Sequence, residues 1–147
     1  MNLTKDFTLE EMIESQTARS YNIVAQFNPP PEIVDHLTGL CVNLLQPLRD
    51  ALGPIYISSG WRCPELNTLV GGVSDSWHLL GEAADCEFYR NGIMSNQEIM
   101  DAVKANNLPF DQMIDEAFLK WVHLSWSATQ LRRQVLRMVH GSYTVIG

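Results

Sequence analysis

Ser76-Trp77-His78-Leu79-Leu80-Gly81-Glu82-Ala83-Ala84-Asp85 puts a histidine and an acid seven positions apart, with a glycine and two alanines between them. A second histidine, His123, lies downstream in Trp121-Val122-His123-Leu124-Ser125. Two imidazoles and one carboxylate are a complete protein ligand set for a catalytic zinc that keeps one position open for water. His78 and Asp85 are too far apart to share adjacent turns of one helix. Gly81 between them predicts a loop that carries His78 and feeds a strand that carries Asp85. Taken alone, each histidine is an ordinary packed or exposed side chain. The set of three is what points to a metal.

The elements that must position these residues follow from pattern and punctuation. Thr8-Leu9-Glu10-Glu11 has a hydroxyl followed three residues later by an acid, the capping-box pattern, and opens a short helix to about Gln16. The stretch from there to Phe27 reads as polar and irregular. Pro29-Pro30-Pro31 then sets up a helix start, and Ile33, Leu37, Leu40, Cys41, Leu44, Leu45 and Leu48 recur at helical spacing as far as Leu52. Pro47 inside this run predicts a kink near Gln46. Ile55–Ser58 is a β-rich strand, Ser59–Cys63 a loop and Pro64–Val70 a helix. Gly71–Ser76 is a flexible loop leading to His78, and Ala83–Phe88 is a second strand. Ser95-Asn96-Gln97-Glu98 repeats the capping pattern and opens a helix to about Asn106. Phe110–Ile114 and Trp121–Ser125 are further strands, joined through Asp115–Lys120. For the remainder two readings stand: a short basic helix over Thr129–Leu136, or strands Val135–Val139 and Tyr143–Ile146 paired across His140-Gly141-Ser142. Helices first, then strands and helices without βαβ regularity, indicate an α+β fold: a single domain over residues 1–147 with a small, mostly antiparallel sheet flanked by helices.

The bulk numbers agree. A chain of 147 residues with 46% hydrophobic and 18% charged residues suits one domain with one core. A net charge of -7 argues against a nucleic-acid partner bound by phosphate neutralisation. No run approaches the length of a membrane span, and the first residues contain no apolar signal-peptide core. Cys41, Cys63 and Cys86 are odd in number and lack C-x-x-C spacing, so they suggest neither a disulfide framework nor a zinc knuckle. Cys86 follows Asp85 in a strand and should face the other way, which makes a cysteine nucleophile a poor reading.

The block S-x-H-x-x-G-x-A-x-D, followed by W-V-H-x-S, resembles the zinc D-Ala-D-Ala carboxypeptidase family, which includes bacterial D,D-peptidases and phage endolysins. The resemblance extends to Ile57-Ser58-Ser59-Gly60-Trp61-Arg62-Cys63-Pro64, to the Val70–Ser76 loop, and to Phe7-Thr8-Leu9-Glu10-Glu11 and Leu45-Gln46-Pro47-Leu48-Arg49, which are similar to the short, phage-associated branch. It implies a Hedgehog/D,D-peptidase-like fold and a Zn²⁺ cofactor held by His78, Asp85 and His123. It implies a peptidoglycan peptide as substrate, acted on by a monomer with neither a nucleic-acid partner nor a transmembrane segment. The expected setting is synthesis in the host cytoplasm, without a signal peptide, and action at the cell wall. By the same resemblance Arg62 holds a substrate carboxylate or stabilises the oxyanion, and Ser76 bonds near the first ligand or the substrate. Two departures stand out. Many members carry a glutamate three residues before the second histidine, where this chain has Lys120. The run Gln112-Met113-Ile114-Asp115-Glu116 fits the phage-associated pattern instead and nominates Glu116 as the acid/base, with Asp115 second. Trp77 stands where a glutamine is common and would narrow the cleft or stack on substrate. The alternative to an enzyme is a non-catalytic metal-binding structural or virion-associated module on the same fold.

Overall fold

The apolar spacing of residues 32–52 yields the main helical layer. In the structure, a computed structural model describing residues 1–147, helix α3 (Pro31–Leu40) runs into one π turn (Cys41–Leu45) and then a further helix (Gln46–Leu52). Pro31 occupies the first helical position, where a missing N–H costs nothing. Pro47 lacks the donor an unbroken helix needs there, and the π turn takes up the change of register. The Gln46 N–H closes that turn on the Cys41 carbonyl. Leu37, Leu40, Leu44, Leu45 and Leu48 are fully buried and form one side of the core.

Two short helices precede this layer, α1 (Leu9–Ile13) and α2 (Gln16–Ser20), so that helix is the layer's third element and Gln46–Leu52 its fourth, α4. Thr8 caps α1 by accepting from the Glu11 N–H at 3.1 Å. The first helix stops before Gln16 because Ser15 starts the next one, accepting from the Ala18 N–H at 3.0 Å. The stretch expected to be irregular thus contains α2 and a 3₁₀ turn (Val24–Phe27). Helices α5 (Pro64–Leu69) and α6 (Gln97–Ala105) complete the set. No helix is long and apolar enough to cross a membrane.

The strands are β1 (Tyr56–Ser59), β2 (Ala83–Glu87), the small hairpin β3 (Tyr89–Arg90) and β4 (Ile93–Met94), then β5 (Gln112–Glu116), β6 (Trp121–Ser125), β7 (Gln134–Val139) and β8 (Ser142–Val145). Six of them form one sheet in the order β1-β2-β6-β5-β7-β8. Every pairing is antiparallel except β5 with β7. The fold is therefore α+β, with a mostly antiparallel sheet flanked by helices. Alternation along the strands separates the two faces. Ala84, Cys86, Val122, Leu124 and Met113 are fully buried in the core. Asp85, His123, Ile114 and Glu116 point to the opposite face, into an open cleft of about 960 Å³.

Two further segments depart from expectation. Thr129–Leu136 contains no helix. Asp111 grips Arg132 through both its backbone N–H and its guanidinium, Arg133 adopts a left-handed conformation (φ 57°), and from Gln134 the chain pairs with the open edge of β5. Pairing with an edge strand outweighs local helix propensity. β5 itself lies two residues later than expected and runs to Glu116, which leaves a tighter turn before β6.

Candidate metal centre and cleft

His78 sits in a single 3₁₀ turn (Trp77–Leu80) whose two ends are fixed locally. Ser76 caps the start, its hydroxyl accepting from the His78 N–H at 3.2 Å. Gly81 closes the end in the left-handed region (φ 72°), where a Cβ would also press within 3.1 Å of the Ile33 carbonyl oxygen. The chain then enters β2 and delivers Asp85. His123 is the direct register partner of Asp85 across the β2–β6 ladder, so the two side chains share a face. A bulge between Ile57 and Ser59 shifts the β1 register just before the loop that brings the Gly60 carbonyl to His78 and Arg62 to the cleft.

These elements bring three donors together. His78 Nε2 lies 3.3 Å and His123 Nδ1 lies 3.2 Å from the same oxygen, Asp85 Oδ1. The ligating atoms of the three residues all fall within 4.8 Å of one another. His78 Nδ1 is 2.7 Å from the Gly60 carbonyl, which can only accept, so the ring proton sits on Nδ1. A neutral His78 therefore turns a lone pair at Nε2 toward an ionised carboxylate. Two acceptors at this distance repel unless a cation lies between them or the ring takes up a second proton. In tetrahedral zinc coordination with bonds of about 2.0–2.2 Å, neighbouring ligand atoms are separated by roughly 3.3–3.5 Å. The donor types, the tautomer of His78 and the spacing about Asp85 Oδ1 all fit zinc. In the metal-free protein burial works to raise the Asp85 pKa, but the charge and hydrogen bonds of the His78 and His123 rings in their protonated form outweigh it and hold the carboxyl well below the usual range.

The carbonyl that fixes His78 depends on Gly60. A Cβ at Gly60 would fall 2.2 Å from the Met12 carbonyl oxygen, so only glycine lets this loop pass over α1. Nothing in the sequence beyond a serine-glycine turn signals this role.

The remaining candidates separate cleanly. Arg62 lines the cleft, donates from Nη2 to Ser76 Oγ at 3.3 Å, and has no carboxylate partner. Its Nε is buried without an acceptor. Burial lowers its pKa, opposed by the Asp85 charge. Ser76 thus ties the Arg62 side chain to the turn that carries His78. Glu116 is buried at the cleft wall. Burial pushes its carboxyl up to about 7, opposed by the His123 charge and reinforced by those of Asp85 and Asp115. Asp115 does not join it. Strand alternation turns it to the other face, where it accepts from Arg137 Nε at 2.9 Å and from the Leu119 N–H at 2.7 Å. Its two oxygens are engaged in holding the β5–β6 turn and β7. Lys120 lies in that turn, and its N–H bonds the Glu116 carbonyl at 3.0 Å. Of the four tryptophans, Trp61 and Trp126 pack with the core, while Trp77 and Trp121 line the cleft. Cys86 is fully buried on the core face, and its thiol pKa is raised well above the ordinary value by burial.

One wall of the cleft was not legible in the sequence. Gln134, Leu136, Met138 and Tyr143 reach it from β7 and β8. Their place depends on a parallel pairing that no local signal encodes.

The sequence profile of the family described as Peptidase M15 matches residues 5–125. The chain belongs to the Peptidase M15 family of zinc D-Ala-D-Ala peptidases, and its fold and His-Asp-His cluster are consistent with that membership. Among curated proteins no sequence matches the chain significantly.

Proposed function

We propose that the protein is a zinc metallopeptidase that hydrolyses peptide bonds in peptidoglycan, as a carboxypeptidase or an endolysin-type endopeptidase. The observation that carries this reading is the convergence of His78 Nε2 and His123 Nδ1 on Asp85 Oδ1 at the floor of an open cleft, with Glu116 on the same face. His78, Asp85 and His123 would hold the zinc, with the Gly60 carbonyl orienting His78. When bound, zinc supplies Lewis acidity for water and carbonyl activation. Glu116, buried on the cleft face, accepts the proton of the attacking water at its carboxylate and returns it to the leaving amine. Arg62, unpaired and fork-shaped, binds a substrate carboxylate or the oxyanion, and Ser76 holds it in position. Residues 1–147 act as one catalytic domain, and phage-associated wall cutting is the biological setting that the short-branch sequence features favour.

The test joins metal content to activity. Purified protein should carry about one zinc per chain, clear a suspension of purified bacterial walls, and lose clearing without losing zinc on Glu116→Ala. A zinc-loaded wild type that turns over no wall peptide would instead support a non-catalytic metal-binding module.

A further inference from the structure

The family profile ends at Ser125, yet the chain beyond it builds a wall of the cleft. β7 lies parallel to β5 with Gln134 opposite Gln112, Leu136 opposite Ile114 and Met138 opposite Glu116. These three side chains therefore share the cleft face with Glu116. β8 adds Tyr143 as the register partner of Met138. The hairpin is firmly anchored. Arg132 donates to the buried Asp111 at 2.8 to 3.0 Å through its backbone and its guanidinium. The Ala117 N–H bonds the Met138 carbonyl at 2.9 Å, and Arg137 holds Asp115. A wall tied down in this way presents a fixed surface.

Sheet order defines what that surface faces. Arg62 leaves the sheet at the β1 edge, the His-Asp-His cluster lies on β2 and β6 with its preceding turn, and Tyr143 stands on β8 at the far edge. A peptide lying across the strands would run from Arg62 over the cluster to Tyr143. Along that path Leu136 and Met138 are uncharged, and Tyr143 is 57% exposed. The Tyr143 hydroxyl has no hydrogen bond within the protein. Burial and the charges of Glu116 and Asp85 raise its pKa, so it keeps its proton at neutral pH and offers a donor to the cleft.

We infer that the β7–β8 hairpin is the specificity wall of the cleft: Leu136 and Met138 seat an uncharged side chain beside the scissile bond, and the Tyr143 hydroxyl donates a hydrogen bond to a carbonyl of the bound peptide. This inference rests on the peptidase reading above. The substrate class is an extended peptide with a carboxylate toward Arg62 and an apolar side chain toward the hairpin.

The test compares zinc-loaded wild type, Tyr143→Phe and Met138→Ala on N-acetylated stem peptides whose two residues flanking the scissile bond are alanine or leucine in turn. Turnover is measured beside the equilibrium affinity of the same peptides for zinc-free protein. Tyr143→Phe should lower kcat/KM about tenfold on every peptide, and weaken binding, with zinc content and Tm unchanged. Met138→Ala should move the leucine-to-alanine preference at one flanking position about fivefold toward leucine, whereas a folding defect would scale all peptides alike. Either variant matching wild type in its own readout overturns the corresponding half of the inference. A wild type that binds the peptides without cleaving them removes the peptidase reading while its affinities still decide the role of the wall. A wild type that neither binds nor cleaves overturns both.

Discussion

On the β2–β6 side of the cleft, His78, Asp85 and His123 are held by a capped turn, a glycine carbonyl and one rung of an antiparallel ladder. On the β5–β7 side, Glu116 occupies the end of a strand whose outer neighbour pairs in parallel and whose turn runs through three left-handed residues, Ala117, Phe118 and Leu119. Left-handed backbone is costly for residues with a Cβ, by roughly 1–2 kcal/mol each. Asp115 and Asn96 offset that cost by bonding the Leu119 N–H and carbonyl. The metal side is thus specified by neighbours in sequence and one ladder. The acid side is specified by contacts spread over several elements. The first side tolerates little change at its few positions, whereas the second can be disturbed from many.

Removing a proposed ligand breaks the metal side outright. His123→Ala should abolish stoichiometric zinc binding and lower hydrolysis by about a thousandfold or more, read by metal analysis and peptide turnover. On the acid side the two adjacent carboxylates should separate. Glu116→Gln should cost about 10²–10⁴ in kcat at unchanged zinc content. Asp115→Asn should leave the chemistry largely intact and lower stability by about 1 kcal/mol, seen in Tm or denaturant midpoint, because it weakens the hydrogen bonds that the buried Asp115 accepts from the Leu119 N–H and from the half-exposed Arg137. Equal kinetic losses from both would erase the distinction drawn between the two faces of β5.

A smaller effect tests the support of His78. Gly60→Ala puts a Cβ against the Met12 carbonyl, forces the Gly60 carbonyl away from its place beside His78 and should weaken zinc affinity about 10–100-fold, measured by competition with a chelator. The smallest effect is in the pH dependence of zinc-free protein. Glu116 holds its proton to about pH 7 when folded, against an ordinary value of 4.5. Its contribution to stability is complete below pH 4.5 and is lost as pH rises through about 7. Asp85 has the opposite sign. Its folded pKa is depressed, so its contribution is present above its ordinary value of 3.8 and is lost as pH falls below that. Glu116→Gln should flatten the loss between pH 5 and 8 and leave the acid limb unchanged.

The same contrast explains what the sequence discloses. The spacing of His78 and Asp85 about Gly81, the capping box at Thr8, and the apolar run through Leu48 are local signals, and they are readable without coordinates; the capping pattern at Ser95 marks the right helix, but its N-cap is Asn96 and the Ser95 hydroxyl bonds the Glu98 carboxylate instead of a backbone N–H. The pairing of Asp85 with His123 follows from two strands that each display one ligand. The path of residues 129–139 could not be read in this way. Its basic residues suit a helix as well as a strand, and only the open edge of β5 and the buried Asp111 select the strand. Asp115 and Glu116 are indistinguishable as adjacent acids until the strand boundary is known, because a shift of one residue exchanges their faces.

The most direct measurement is mass spectrometry of fragments released from purified peptidoglycan by zinc-loaded wild type and by His123→Ala. The account predicts that the wild type releases peptides with a newly formed amine and carboxylate at one defined bond, and that the variant releases none. A wild type that retains one zinc per chain and leaves every peptide bond intact would contradict it.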